Sequence, residues 1–336
     1  MPKKKYSIIL PLRTGGEYVK ECINSILSQT MADFDLVILI HDCTDGTLEW
    51  LATLKDERIV VYNENGIDGI IGNWNRIKTI PRNEFMTIIG YDDKFAPDYL
   101  AIMDVLIRKH PQASLYQTHF NYIDNGGNII QQCKSMPESE TAPDFLKNFL
   151  LNKVDIMATG FMMRSLDYDA LGGIPNYPNL LFADLELWYR LTAVHYKATS
   201  AEQCFFFRLH QSTTKISSDD KYLMAYERMI FFLQELKNDE GPSAKVISEH
   251  SIAFIQYYCR SLSHRLLRTP NALRKELSVA ELTRRSKKYA DLLVPGNDYD
   301  PNADFKVKLA KIIDLNPVSR KLFLFFKKIW PKPVYS

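Results

Sequence analysis

A chain of 336 residues, 46% hydrophobic and 24% charged, has material for one large α/β domain of roughly 200–250 residues plus an appendage, or for two ordinary domains. Its formal charge of +2 is too small to imply nucleic-acid binding, and the composition excludes a disordered or collagen-like chain. Five cysteines, odd in number and without CxxC spacing, support neither a zinc knuckle nor a disulfide framework, and no run of about eighteen apolar residues offers a membrane-spanning helix. Free thiols and the lack of a signal-peptide core after Met1-Pro2-Lys3-Lys4-Lys5 lead to the expectation of a cytoplasmic protein.

In chain order, "YSIILPL" (6–12) reads as a first strand, and Val19, Cys22, Ile23, Ile26 and Leu27 then fall at helical spacing. "DLVILIH" (35–41) is a second strand and "TLEWLATL" a short second helix. "RIVVYN" (58–63) is a third strand, "NWNRIKTI" a third helical turn, and "EFMTIIG" (84–90) a fourth strand. Pro97 suits the first turn of the helix "DYLAIMDVLIRKH", where its missing N–H costs little. The alternation predicts an α/β fold with a mostly parallel sheet flanked by helices. Asn125-Gly126-Gly127 then joins "SLYQTHFNYID" to "NII" as a hairpin, which predicts an antiparallel edge. "APDFLKNFLL" is helical, "GFMMR" a strand, "LFADLELWYRLTAVH" (181–195) a helix, and "EQCFFFRLH" (202–210) a strand. Beyond residue 219 the chain is mostly helix, with joints at Gly241-Pro242 and 294–302, so domains of 1–218 and 219–336 are expected.

The first βα turn, "PLRTGGEYV", fits neither GxGxxG nor a P-loop, which argues against a dinucleotide-binding oxidoreductase or a P-loop enzyme. The strand ends are nonetheless polar: Arg13 and Thr14, then His41 and Asp42, then Asn63 to Asn65, then Asp92 and Asp93. Ligands of open α/β sheets bind at such carboxyl ends. Asp92 and Asp93 offer adjacent hard oxygen ligands, suited to Mg²⁺ or Mn²⁺ held together with substrate phosphates. The plainer reading is a cap for the following helix.

The set "SIILPLRTGGEYVKECINSILSQT", "ILIHDCTDGT", "ENGIDGIIGNWNRI", "IIGYDDKFAPDYL" and "FADLELWYRL", in that order, resembles the family 2 glycosyltransferases of GT-A fold over roughly residues 5–215. The resemblance implies an inverting, metal-dependent transfer of a sugar from a nucleotide-diphosphate donor, with a UDP-sugar expected. The acceptor would be a hydroxyl of a glycan or lipid-linked molecule, in bacterial surface-polysaccharide assembly. It implies donor contacts from Pro11, Leu12, Arg13, Thr14 and Asp42, the last to the base. Asn73 and Asn75, with Arg76 competing, stand where the family faces the nucleotide phosphates. Where the family commonly has Asp-x-Asp-Asp this chain has Gly90-Tyr91-Asp92-Asp93, which leaves Asp93 as the metal ligand and Asp92 as a sugar or ribose contact or second ligand. Asp184 matches the catalytic base, with Glu186 as fallback and Ala183 in place of a common Glu. Arg208 and His210 resemble the element that closes over the diphosphate, with His210 a phosphate or metal contact, and "ALGGIPNYPNL" (170–180) the loop that meets the acceptor.

The tail, "NPVSRKLFLFFKKIWPKPVYS", is basic and aromatic-rich, and too short and charged to span a bilayer. It suits the interface of an anionic membrane, so peripheral association with the inner face of the cell membrane is expected; a terminal helix packed on the core is the alternative. Two other functions stay open. One is a catalytically silent family member serving as a membrane scaffold, and the other a sugar-phosphate nucleotidyltransferase, which would need a more basic, Gly-rich first loop.

Overall fold

The computed structural model describes residues 4–209, 218–270, 273–274 and 277–329. Contacts divide the chain into two compact units. The first is built on Met1–Phe145, Val154–Asn176 and Ala183–His210, the second on Leu146–Lys153, Tyr177–Phe182 and Gln211–Ser336.

In the first unit the strands are β1 (Tyr6–Leu12), β2 (Phe34–His41), β3 (Ile59–Glu64), β4 (Phe85–Ile88), β5 (Lys94–Phe95), β6 (Leu115–Ile123), β7 (Ile129–Gln132), β8 (Ser139–Glu140), β9 (Phe161–Arg164) and β10 (Lys197–Arg208). The helices are α1 (Gly16–Leu27), α2 (Thr47–Thr53), α3 (Gly69–Asn75), α4 (Tyr99–Lys109), α5 (Ala142–Leu150), α6 (Ser165–Ala170) and α7 (Ala183–Val194), of which α5 ends beyond the unit. The sheet runs β3-β2-β1-β4-β9-β6-β10-β5, with β7 on β6 and β8 on β10. Its longest ladders, β1 with β2, β2 with β3 and β6 with β10, are parallel. β1 is buried at every position, as a parallel strand covered on both faces must be, and that is why it reads as an unbroken apolar run. Val19, Cys22, Ile23 and Ile26 turn the apolar stripe of α1 onto the sheet.

The pairing fixes where the polar strand ends gather. β1, β2 and β4 are mutually parallel; β9 is antiparallel to β4, β6 is antiparallel to β9, and β10 is parallel to β6. The carboxyl ends of β1, β2, β4, β6 and β10 therefore lie along one edge. Between β1 and β4 the chain order reverses, which is the switch point where open α/β sheets leave a crevice.

Several expectations shift in detail. The last strand begins at Lys197 rather than near 202, because β10 pairs with both β6 and β8 along its first half. The third helix starts earlier, at Gly69, and its end tightens into a 3₁₀ turn at Arg76–Lys78. Pro97 stands ahead of α4 instead of in its first turn, and its carbonyl accepts from the Thr30 N–H at 2.8 Å.

The second unit contains α8 (Asp219–Asn238), α9 (Pro242–Arg268), α10 (Val279–Leu293), α11 (Phe305–Leu315) and α12 (Pro317–Ile329). Tyr226 lies at its centre, stacked on Tyr258 and edge-on to Tyr289. Phe182 packs against Tyr222, Tyr226 and Tyr258 with a left-handed φ of 67°, a conformation a bulky residue holds only where packing over-determines it.

Gly160, just ahead of β9, carries a φ of +82° and donates its N–H to Ile88 O at 2.9 Å. A Cβ there would come within 2.7 Å of the Phe205 ring. Gly160→Ala is therefore expected to cost about 2–3 kcal/mol, from left-handed strain plus overlap, read as a lowered midpoint in urea unfolding.

Candidate active site

The loop after β1 begins with Pro11 and Leu12 still buried in the strand, while Arg13 and Thr14 project as exposed side chains. The start of α1 is held from across the edge by Asp45, whose Oδ2 accepts from Gly15 N at 3.0 Å and Gly16 N at 3.2 Å. Burial alone would raise this carboxyl. Its bonds from Thr47, Gly15 and Gly16 prevail and hold it well below the usual carboxylate range. Gly15 has no room for a side chain: a Cβ would fall 2.8 Å from the Tyr91 ring, in the turn after β4.

At the end of β2, Asp42 adopts a left-handed φ of 43°, which Asp tolerates better than most residues. Its Oδ1 accepts from Gly66 N at 3.0 Å, and Oδ2 lies 3.2 Å from His41 Nδ1. The Gly66 N–H first, then His41, keep Asp42 ionised below its ordinary range, and Arg13 adds to this. Asn73 is 3% exposed and gives its amide to Leu39 O at 3.0 Å and Leu12 O at 3.4 Å. Its Oδ1 receives Arg76, which also reaches Ile40 O and Tyr62 O. These two side chains thus tie together the ends of β1, β2 and β3. Asn75 is half-buried at the end of α3.

After β4, Asp92 is half-exposed and Asp93 is 2% exposed. Both carboxylates flank Gly90: a Cβ there would lie 2.7 Å from Asp92 Oδ1 and 3.0 Å from Asp93 Oδ2. Asp93 accepts from Arg208 N at 3.0 Å and from the Thr159 hydroxyl at 3.0 Å. Burial and the neighbouring Asp92 nonetheless push its pKa upward, against the pull of those two donors and the Arg208 charge.

Arg208, at the end of β10, is 1% exposed. Its Nε donates to Asp92 O at 2.8 Å, one terminal nitrogen to Asp124 O and Asn125 O, and the other to Glu21 Oε2 at 2.7 Å. The guanidinium carbon sits 4.4 Å from the centre of the Tyr18 ring. One side chain joins α1, the Asp92-Asp93 turn and the β6–β7 hairpin. His210 lies outside the described residues.

Asp184 is the second residue of α7, where the helix dipole favours an anion. Burial is the larger effect and lifts its carboxyl to about 6, against the N–H groups of Leu185 and Asp184 itself. Glu186, on the same helix, is 2% exposed and paired with Arg190 at 2.8 Å. One turn on from Asp184, Trp188 donates Nε1 to Met157 O at 3.0 Å and stacks on Phe161. The segment 157–161 thus carries both Met157, which holds the Asp184 helix, and Thr159, which holds Asp93.

Among the described residues no three His, Cys, Asp or Glu side chains gather as a metal-binding group. Asp92 and Asp93 suit a hard divalent ion that also takes oxygens from substrate phosphates, since such an ion needs only one or two protein carboxylates. Sequence reading missed Asp45, Glu21 and Thr159. "HDCTDGT" held a turn signal for Asp45, whereas Glu21 and Thr159 reach the site through pairings that no local pattern announces.

Residues 7–170 match the glycosyl transferase family 2 model. An uncharacterized glycosyltransferase of Rickettsia conorii is 26% identical over 241 residues, which is 70% of this chain and only 39% of that protein. The putative teichuronic acid biosynthesis glycosyltransferase TuaG of Bacillus subtilis is 26% identical over 60% of this chain and 77% of its own length. Among solved structures, S. aureus TarS 1–349 in complex with UDP-GlcNAc superposes with a TM-score of 0.67 at 14% identity, over 96% of this chain and 92% of that one. The architecture is the GT-A fold.

Arg208→Met leaves three carbonyls and Glu21 without their donor, and is expected to cost about 3–5 kcal/mol in urea unfolding. Glu21→Gln should cost under about 1 kcal/mol, since that carboxylate is 41% exposed. Asp184 behaves in the opposite sense. Its raised pKa means the folded state binds more protons between about 4 and 6, so its contribution to stability falls as pH rises through that window. Asp184→Asn should therefore raise the melting temperature relative to wild type at pH 7.5, with the gain shrinking toward pH 5.

Proposed function

We propose that the chain acts as a family 2 glycosyltransferase of GT-A fold that transfers a sugar, with inversion, from a UDP-sugar to a hydroxyl of a glycan or lipid-linked acceptor in surface-polysaccharide assembly. The observation that carries the reading is the shared segment 157–161: Thr159 grips Asp93 after β4, and Met157 grips the helix that Asp184 opens. A carboxylate with a pKa of about 6 is matched to proton abstraction near neutral pH.

In this reading the acceptor oxygen attacks the anomeric carbon as the bond from that carbon to the diphosphate oxygen breaks. The hydroxyl proton passes to Asp184, and the electron pair of the broken bond leaves with the nucleoside diphosphate. Arg13, Thr14, Asp42 and Asn75 face the donor. Pro11, Leu12 and Asn73 shape the floor of that pocket, because Asn73 spends its amide on strand-end carbonyls. Asp92 and Asp93 would hold a Mn²⁺ or Mg²⁺ ion, which when bound offsets charge developing on the diphosphate. Asp92 carries the more accessible oxygens, and Asp93, braced by Thr159 and Arg208 N, holds the turn in register. Arg208 supports both from beneath, its guanidinium being committed to Asp92 O, the hairpin and Glu21. The name of the teichuronic acid relative supports the polysaccharide setting, and the UDP-GlcNAc complex of TarS supports the nucleotide.

The test is release of UDP from UDP-sugars with Mn²⁺ present. Wild type is expected to hydrolyse at least one common donor slowly, with a rate that rises with pH through an apparent pKa of about 6. Asp184→Asn should lose about 100-fold or more and abolish that limb, given the usual worth of a general base. Asp92→Asn should raise the Mn²⁺ concentration needed for half-maximal rate. A folded wild-type protein that binds no nucleotide sugar in calorimetry would overturn the reading in favour of a silent scaffold.

A further inference from the structure

α11 and α12 follow one another across the single residue Asn316, whose Oδ1 caps α12 by accepting from Val318 N and Ser319 N. Each helix buries one face. Val307 and Ala310 turn α11 inward; Arg320 does so for α12 by donating to Leu267 O and Thr269 O, helped by Phe323 edge-on to His264. The outward faces are not polar. On α11, Phe305, Leu309 and Ile312 form a stripe at i, i+4, i+7 and are 75%, 43% and 56% exposed. On α12, Val318, Leu322, Phe325 and Ile329 continue the spacing and are 66%, 64%, 62% and 51% exposed. Such runs on consecutive helices exceed the scattered apolar residues normal for a surface.

The charge beside the stripes has one sign. Lys306, Lys308, Lys321 and Lys328 are exposed, and the single carboxylate within 305–329, Asp314, is turned inward onto Arg274 and the Val279 N–H. No helix is long and apolar enough to cross a bilayer among the described residues. Apolar stripes flanked only by lysines complement a surface that is apolar below and anionic above.

We propose that α11 and α12 together dock this protein on an anionic lipid bilayer, with Phe305, Ile312, Leu322 and Phe325 entering the interface and the lysines meeting the headgroups. The tail from 317 is thus only half of the surface, and α11, a helix with no aromatic cluster to flag it, supplies the rest. The proposal is independent of the transfer chemistry.

The test is co-sedimentation of the full chain with phosphatidylcholine vesicles, with and without about 30% phosphatidylglycerol, a composition that sets a negative surface potential. Wild type is expected to pellet with the anionic vesicles and far less with neutral ones. Leu322→Glu/Phe325→Glu and, separately, Phe305→Glu/Ile312→Glu should each weaken binding by at least about tenfold, since each pair removes two large apolar groups from the interface. Changing Lys306, Lys308, Lys321 and Lys328 to Gln should erase the preference for anionic lipid, and this set decides the matter if a Glu variant fails to fold by circular dichroism. Donor hydrolysis in lipid-free solution should be unchanged in every folded variant. No wild-type binding, or an α11 pair without effect, overturns the proposal. So does an oligomer that the Glu variants dissociate in sedimentation velocity while vesicle binding stays intact, since the face would then be covered by a second copy.

Discussion

A single buried cation organises the site. Removing a guanidinium from water is costly, and the cost is offset as its donors find acceptors. Arg208 finds three main-chain carbonyls and one carboxylate, drawn from segments that the chain order keeps far apart. Because those carbonyls belong to Asp92, Asp124 and Asn125, the bond set dictates where the turn after β4 and the hairpin after β6 come to rest. The acidic pair sits in that turn under opposed influences: burial and mutual repulsion push the Asp93 carboxyl up, while the Arg208 N–H, the Thr159 hydroxyl and the Arg208 charge pull the other way without prevailing.

The rest of the edge is built in the same manner, with side chains spent on backbone. Asn73 and Arg76 close the ends of three parallel strands, and Asp45 closes the gap between the loops after β1 and β2. Parallel strands end in unpaired polar groups at one edge, and here part of that edge is satisfied from within. What is left facing outward, Arg13, Thr14, Asp42 and Asp92, is then presented on a rigid support. In the proposed transfer rigid support would matter, because an acceptor oxygen and an anomeric carbon must be brought together in a narrow range of geometry.

Much of this fold was legible in the sequence, and for a definite reason. "YSIILPL" and "DLVILIH" are apolar at nearly every position, which only a strand buried on both faces requires, and the spacing of Val19, Cys22, Ile23 and Ile26 leaves one helix face to cover them. The polar residues at the strand ends could likewise be read, since each follows directly on an apolar run. Two-residue strands such as Lys94–Phe95 and Ser139–Glu140 leave no periodicity and were invisible. Division of labour inside the site was invisible too. Asn73 beside Asn75 and Asp93 beside Asp92 are chemically near-identical neighbours, and burial separates the more enclosed member of each pair. The enclosure of Asp93 comes with Thr159 and Arg208, whose sequence distances from the acidic pair carry no local signal.

Gly90 has a bearing on redesign. A third acid at Gly90 is the obvious way to add negative charge beside Asp92 and Asp93. The space is already taken: oxygen atoms of Asp92 and Asp93 crowd the α-carbon from which that acid would have to grow. Installing it would require the Asp92 carboxylate to shift aside and that of Asp93 to give by a few tenths of an ångström, against the hold of Thr159 and the Arg208 N–H. The two-acid turn is thus closed to a third carboxylate at Gly90 unless its own side chains rearrange with it.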